Sequence, residues 1–244
     1  MAYLGGKSLN GKFIVDILNQ SKYDNMDYIE PFIGMGHILR RVENKKSYTA
    51  SDNNELLIEL LNGVQQYRSI PDISKERYYE LKKLNEINFE TAFSCFGLSY
   101  NGKQWGGYVV DSSNTPSFKK TGKLHNYRQS RINYYTKLQN NRSFMDAKIE
   151  CKSYLDYEPS NCLIYCDPPY ENTTGYGIEF NHEQFWNTMR EWSTNNIVYV
   201  SEYNAPDDFV CIAEHQKTSS MNKCIRTNRI EKLFTLNNFN GYVY

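Results

Sequence analysis

The chain has no apolar run near the roughly 20 residues a membrane-spanning helix needs, which argues against an integral membrane protein. It has no excess charge either: 28 Lys and Arg face 28 Asp and Glu, and the pI is about 6.9. A protein coated in basic surface is thereby excluded. The six cysteines share no metal-type spacing; Cys162 and Cys166, four apart, fall within one strand-like run. The expectation is reduced, mostly buried thiols, no metal, and an intracellular, cytoplasmic protein. The opening stretch Met1–Lys7 lacks the charged-then-apolar layout of an export leader. Internal repeats and low-complexity tracts are absent.

With 244 residues and 40% hydrophobic content, the chain is long enough for one large domain or one domain with an insertion. Tyrosine is the abundant aromatic, 21 against 12 Phe. Tyr suits surfaces that are half apolar and half wet, or that stack on bases. Charge is unevenly spread. Between residues 101 and 142, Lys103, Lys119, Lys120, Lys123, Arg128, Arg131, Lys137 and Arg142 face Asp111 alone. A basic middle in an otherwise acidic chain is a candidate phosphate-facing surface.

The chain reads as strands alternating with helices, hence a doubly wound, mostly parallel α/β sheet. An amphipathic helix is expected over about 10–20, a buried strand over 28–33, a glycine turn at Gly34-Met35-Gly36, and a helix over about 37–43. A strand follows at 48–51, ending in Asp52, with a helix over about 53–67. A charged helix covers 75–89. From Thr91 to about Thr121 the composition changes to Gly, Ser, Asn and aromatics, read as a loop-rich surface region. A helix over about 125–140, strands over 143–151 and 161–166, a helix over about 182–194 and a strand over 197–201 come next. A short segment at 206–212 and a closing pair of strands near 233–236 and 242–244 complete the order. The division expected is a catalytic domain from 1–70 and 143–244, with 71–142 inserted as a target-recognition subdomain.

The most informative stretch is Cys166-Asp167-Pro168-Pro169-Tyr170, after the apolar run Cys162-Leu163-Ile164-Tyr165. It reads as a buried strand stopped by a rigid turn. Two prolines fix two φ angles and leave an acceptor cluster at the strand tip: the Asp167 carboxylate and the Pro168 carbonyl. Two acceptors gripping the N–H bonds of a nucleobase amine free its lone pair, and Tyr170 supplies a flat face beside it. Asp167 is expected to be ionised at pH 7 at its ordinary pKa, without special tuning.

These pieces, in this order, resemble the Dam-type (D12 class) DNA adenine-N6 methyltransferases. The likeness rests on Tyr3-Leu4-Gly5-Gly6-Lys7, Glu30-Pro31-Phe32-Ile33-Gly34-Met35-Gly36, Asp52, Asp167–Tyr170, the run Val200–Pro206 and Glu231-Lys232-Leu233-Phe234. It implies the Rossmann-like fold of S-adenosylmethionine-dependent methyltransferases and S-adenosyl-L-methionine as cofactor. Tyr3, Gly6 and Lys7 would flank the donor. Glu30, Phe32, Gly34 and Gly36 would line its methionine end, Asp52 and Asn53 would hold the ribose, and Tyr154 would lie near its adenine. Asp167 would touch donor and target, with Pro168, Pro169 and Tyr170 completing the catalytic set. Ser99, Tyr100, Asn101, Lys103, Trp105, Lys119, Lys120, Arg128 and Arg131 would face double-stranded DNA, from which the target base is extruded.

Three departures stand out. Glu30 replaces the Asp that often opens the turn, and Ser153 stands where many members have Asp before an aromatic. Gly97-Leu98 leads to Ser99-Tyr100-Asn101 with no Arg, so GATC specificity is not carried over. No Pro-Cys nucleophile motif of the cytosine-C5 type is present. Cytosine N4, an RNA adenine, a protein glutamine, and a nucleic-acid-binding relative without activity are the alternatives. A cognate restriction endonuclease and a monomeric or weakly dimeric state are left open.

Overall fold

In the computed structural model the described residues are 7, 11–67, 69–109, 111, 113, 116–170, 180–217 and 229–237. In chain order they form α1 (Lys12–Leu18), β1 (Asp27–Glu30), β2 (Ser47–Asp52), α2 (Glu55–Gln66), α3 (Lys75–Leu84), α4 (Phe89–Ala92), α5 (Pro116–Thr121), α6 (Tyr127–Gln139) and α7 (Arg142–Met145). Then come β3 (Lys148–Cys151), β4 (Cys162–Cys166), α8 (His182–Trp192), β5 (Ile197–Glu202), β6 (Phe209–Lys217) and β7 (Arg229–Leu236). The strands make one sheet in the order β3-β2-β1-β4-β5-β7-β6. The first five run parallel; β7 is antiparallel to both β5 and β6.

Asparagine writes many of the helix starts. Asn54, Asn88, Asn126, Asn141 and Asn181 each accept a backbone N–H of the first turn of α2, α4, α6, α7 and α8, as Ser74 does for α3. Such a cap is worth about 1 kcal/mol, because it satisfies a donor the helix leaves open. At the other end, Asn85 takes a left-handed φ of 53° and stops α3.

The central strands bury both faces. Strand β4, Cys-Leu-Ile-Tyr-Cys, is buried at every position, as expected of a parallel strand covered on both sides. Its alternation sends Leu163 and Tyr165 to one apolar cluster with Tyr28, α1 and α2. Ile164 and Cys166 go to the other, with Ile29, Val198, Val200 and Phe185, Trp186, Met189 and Trp192 of α8. Tyr78, Leu81, Phe89, Phe93, Phe96, Tyr135 and Leu138, from the stretch 71–142, join the first cluster beside Leu57 and Leu61 of α2.

Several expected boundaries are corrected. Strand β1 ends at Glu30, because Pro31 has no N–H to give the ladder and the chain turns at Pro31-Phe32; the left-handed Gly34 and Gly36, φ +50° and +67°, follow. The helix expected over 37–43 is one 3-10 turn, Leu39–Arg41. The strand expected over 143–151 begins as helix α7, capped by Asn141, and only Lys148–Cys151 pairs with β2. Helix α3 stops five residues short of 89 at its left-handed Asn85. The segment at 206–212 opens the nine-residue strand β6. The start of the loop-rich region is core: Phe93–Gly97 forms a buried π-helical turn whose two Phe rings pack inward. The strand expected at 242–244 lies outside the described residues.

Candidate active site

Parallel strands place their carboxyl ends along one edge, and the crevice there opens where the connections change direction, between β1 and β4. Here β1 ends in Glu30, β2 in Asp52, and β4 leads into Asp167. Because β7 runs the other way, its first residues reach the same edge: Glu202, last in β5, pairs with Lys232. Glu231 is thus delivered beside Asp167.

A buried lysine joins them. Lys7 Nζ donates to Asp167 Oδ1 at 2.5 Å and to the Tyr170 hydroxyl at 2.7 Å, and lies 2.7 Å from Glu231 Oε1. The Tyr170 hydroxyl donates to the same Glu231 oxygen at 2.8 Å. All three ammonium protons therefore have acceptors. Lys7 also sits 4.7 Å from the Tyr170 ring centre, and Tyr203 meets that ring edge-on at 4.7 Å. Lys7 is 5% exposed and Glu231 3%, so their charges are held by one another rather than by water.

Burial shifts each group. It works against the Lys7 ammonium, but Asp167 and Glu231 outweigh it and the net shift is upward. Burial raises the Asp167 carboxyl above its ordinary range, with Lys7 opposing. The expectation of an untuned Asp167 is therefore corrected: once desolvated, its charge depends on the lysine. Burial pushes Glu30 up to about 8, against the Tyr28 hydroxyl that donates to its Oε2 at 2.8 Å.

The other residues expected to hold a donor lie on the neighbouring strand ends and turns. Asp52 Oδ2 accepts the Gly34 N–H at 3.2 Å, and Oδ1 accepts that of Asn54 at 3.0 Å, so one carboxylate ties the glycine turn to the start of α2. Asn53 beside it is exposed. The Phe32 ring lies 5.3 Å from that of Tyr154, and Phe180 and Phe185 close the group. Ser153 accepts the Leu155 N–H while Asp156 accepts that of Ser153, a reciprocal cap that fixes Tyr154. Pro168 is buried and Pro169 half-buried behind Asp167. Tyr3 and Gly6 lie outside the described residues.

The DNA-side candidates divide. Lys103, Lys119, Lys120 and Tyr100 are exposed. Arg128 pairs with Asp72, and Trp105 packs edge-on against Tyr78 at 5.2 Å. Asn101 lies in the 3-10 turn Tyr100–Gly102. Ser99 is buried, its hydroxyl 2.7 Å from that of Tyr78. Arg131 is buried too, because it falls on the inward stripe of α6 with Tyr134, Tyr135 and Leu138. Neither belongs to the exposed basic surface.

Two contributors were missed. Glu231 begins a stretch quoted above only as a sequence motif; the alternation Glu231, Leu233 against Lys232, Phe234 hinted that it shares a face with a core residue. Tyr134 carried no signal beyond its helical stripe. Its hydroxyl donates to the Met35 carbonyl at 2.7 Å and lies 3.0 Å from His37 Nδ1, clamping the glycine turn from α6.

Among the described residues no group of three His, Cys, Asp or Glu is placed to hold a metal ion, and no helix is long and apolar enough to cross a membrane. The donor set suits a different guest. It offers carboxylates for a cation, Asp52 for hydroxyls, an aromatic group for a flat ring, and a turn whose left-handed glycines bring backbone close. Adenosine joined to a cationic tail fits it.

The family model of D12 class N6 adenine-specific DNA methyltransferases matches residues 3–210. Similar solved structures include the rRNA methyltransferase aviRa of Streptomyces viridochromogenes, with TM-score 0.41, 10% identity, 92% of this chain and 82% of that one. HI0767 of Haemophilus influenzae, described as a methylase, gives 0.38, 14%, 95% and 98%. SMU.472, described as a methyltransferase complexed with SAH, gives 0.34, 7%, 95% and 55%. No curated protein sequence matches the chain.

Proposed function

Because this chain belongs to the D12 class N6 adenine-specific DNA methyltransferase family, we propose that it methylates N6 of an adenine extruded from double-stranded DNA. Its fold is the Rossmann-like one of S-adenosylmethionine-dependent methyltransferases, and its cofactor is S-adenosyl-L-methionine. When bound, that donor supplies an electrophilic methyl group on a sulfonium, whose carbon–sulfur electron pair leaves with the sulfur. The chain's own residues do the rest. Asp52 accepts ribose hydroxyls, the Phe32–Tyr154 group covers the adenine, and Glu30 with the glycine turn faces the methionine end.

At the strand tip, Asp167 and the Pro168 carbonyl accept the two N–H bonds of the target amine. This favours the pyramidal nitrogen whose lone pair forms the new N–C bond. The methylated nitrogen is then cationic and gives up one proton. Asp167, its carboxyl raised by burial, faces that proton and takes it before passing it to water. Tyr170, anchored through its hydroxyl by Lys7 and Glu231, presents a fixed ring to the base. Lys103, Lys119 and Lys120 contact phosphates.

The single observation that carries the reading is Asp167 held by a buried lysine at the carboxyl edge between β1 and β4, beside the glycine turn. The test is direct. Duplex DNA, single-stranded RNA and a protein substrate are incubated with labelled donor, digested, and the modified unit identified by mass spectrometry. N6-methyladenine from duplex DNA alone is expected. N4-methylcytosine, or label only in RNA or protein, would overturn the substrate.

A further inference from the structure

The Lys7 cluster holds more acid than the methyl-transfer chemistry requires. Asp167 alone would neutralise the charge of one ammonium, yet Glu231 Oε1 lies 2.7 Å from the same Nζ. Glu231 comes from β7, outside the span the family model matches. It touches Lys7 and Tyr170 but is separated from Asp167 by the ammonium, so it neither grips the amine nor takes its proton. One cation among two carboxylates leaves an unbalanced negative charge in a largely buried site, where charges act more strongly than in water. Glu30, behind the cluster, is raised to about 8 by burial and adds little charge at neutrality. Glu202, at the tip of β5, turns its Oε1 to the Tyr203 amide at 2.7 Å.

We infer that Glu231 is a donor-discriminating residue: its carboxylate offsets Lys7 so that the site favours a cationic sulfonium over the neutral thioether left after transfer. The inference rests on the donor site proposed above. The bound donor carries one positive charge near sulfur; the spent cofactor carries none. A residue contributing only packing, or only a hold on Tyr170, changes the affinity of both alike. A residue contributing charge changes their ratio, and with it the ease of product release. Asp167 then performs the chemistry while Glu231 sets the charge in which it works.

Calorimetric titration tests this without turnover. Wild type, Glu231→Gln and the double variant Lys7→Met with Glu231→Gln are each titrated with S-adenosylmethionine, S-adenosylhomocysteine and sinefungin. Sinefungin is a non-reactive analogue with a protonated amine in place of the methylsulfonium. In Glu231→Gln the two cations should weaken about tenfold, equivalent to 1.4 kcal/mol, with the neutral compound changed less than about twofold. The double variant removes one positive and one negative charge together, leaves Asp167 facing the donor alone, and should regain most of the lost ratio. Equal weakening of all three ligands, or no change, overturns the role of Glu231. Should Glu231→Gln show no cooperative unfolding transition, the double variant decides: a preserved ratio supports the charge role and a collapsed one sinks it. Failure of wild type to bind either adenosyl compound instead defeats the donor site itself.

Discussion

Lys7 and Lys119 carry the same charge in opposite settings. Lys7 is 5% exposed and shares its protons among two carboxylates and a phenol at the sheet edge. Lys119 stands in water on the short helix α5. A buried ammonium must have fixed partners, because removing any one strands a charge without solvent. An exposed one keeps its water, is screened by salt, and gains most when a phosphate arrives. Even within one helix the contrast holds: on α6, Lys137 is exposed and Arg131 is inside. Chemistry, on this reading, lives where charges are walled in, and DNA capture where they are not.

The contrast can be broken, beginning with the largest effect. Asp167→Ala should lower methyl transfer at least about 10³-fold, the scale of losing a placed group at a reacting centre, with donor affinity kept within about tenfold. Single-turnover assays and calorimetry read the two quantities separately, and retained turnover would remove Asp167 from the chemistry. Next, Lys7→Met leaves Asp167 and Glu231 without their cation. It should destabilise the fold by roughly 3–5 kcal/mol in urea titration, the cost of breaking a buried ion pair. An unchanged midpoint would mean the cluster is wetter than its geometry implies.

Third, Glu30→Gln bears on pH. The folded-state pKa of Glu30 is raised from 4.5 to about 8, so the folded form binds the extra proton. Stability from this group is complete below 4.5 and is lost as pH rises toward 8, at up to about 1.4 kcal/mol per pH unit. Glutamine removes that slope, so the variant should gain on wild type between pH 5 and pH 8. Parallel curves would place the titration elsewhere. Smallest is the exposed side: Lys119→Ala with Lys120→Ala should reduce the salt dependence of duplex binding by about two phosphate contacts. The folding midpoint should stay within about 0.5 kcal/mol, as for most surface changes. A large loss of stability there would erase the distinction between the two settings.

The sheet edge was legible because its signals are local. An apolar run ending in Asp-Pro-Pro-Tyr, a glycine pair after Glu30 and an acid after the next strand each announce a strand tip, and the structure brings all three to one edge. Glu231 was not legible as a partner, because its role depends on β7 entering backwards between β5 and β6. That is a long-range pairing no local pattern encodes. The helical stretch failed differently. Its Gly, Ser and aromatic content looked like loop, yet Phe93 and Phe96 supply core for α2, and a count of basic residues could not separate Arg131, on an apolar stripe, from Lys119. Composition reports how much charge a segment has, whereas burial is set by which face each residue lands on.

The reversed strand β7 has a consequence for synthesis. It is made after β6, yet it sits inside the sheet, while β6 waits at the border. A nascent chain on the ribosome can therefore complete the first five strands and still lack the residue that clasps Lys7 from the far side. The site's preference for a cationic donor would then arrive late, when β7 joins the sheet, although Asp167 is already in place at the tip of β4.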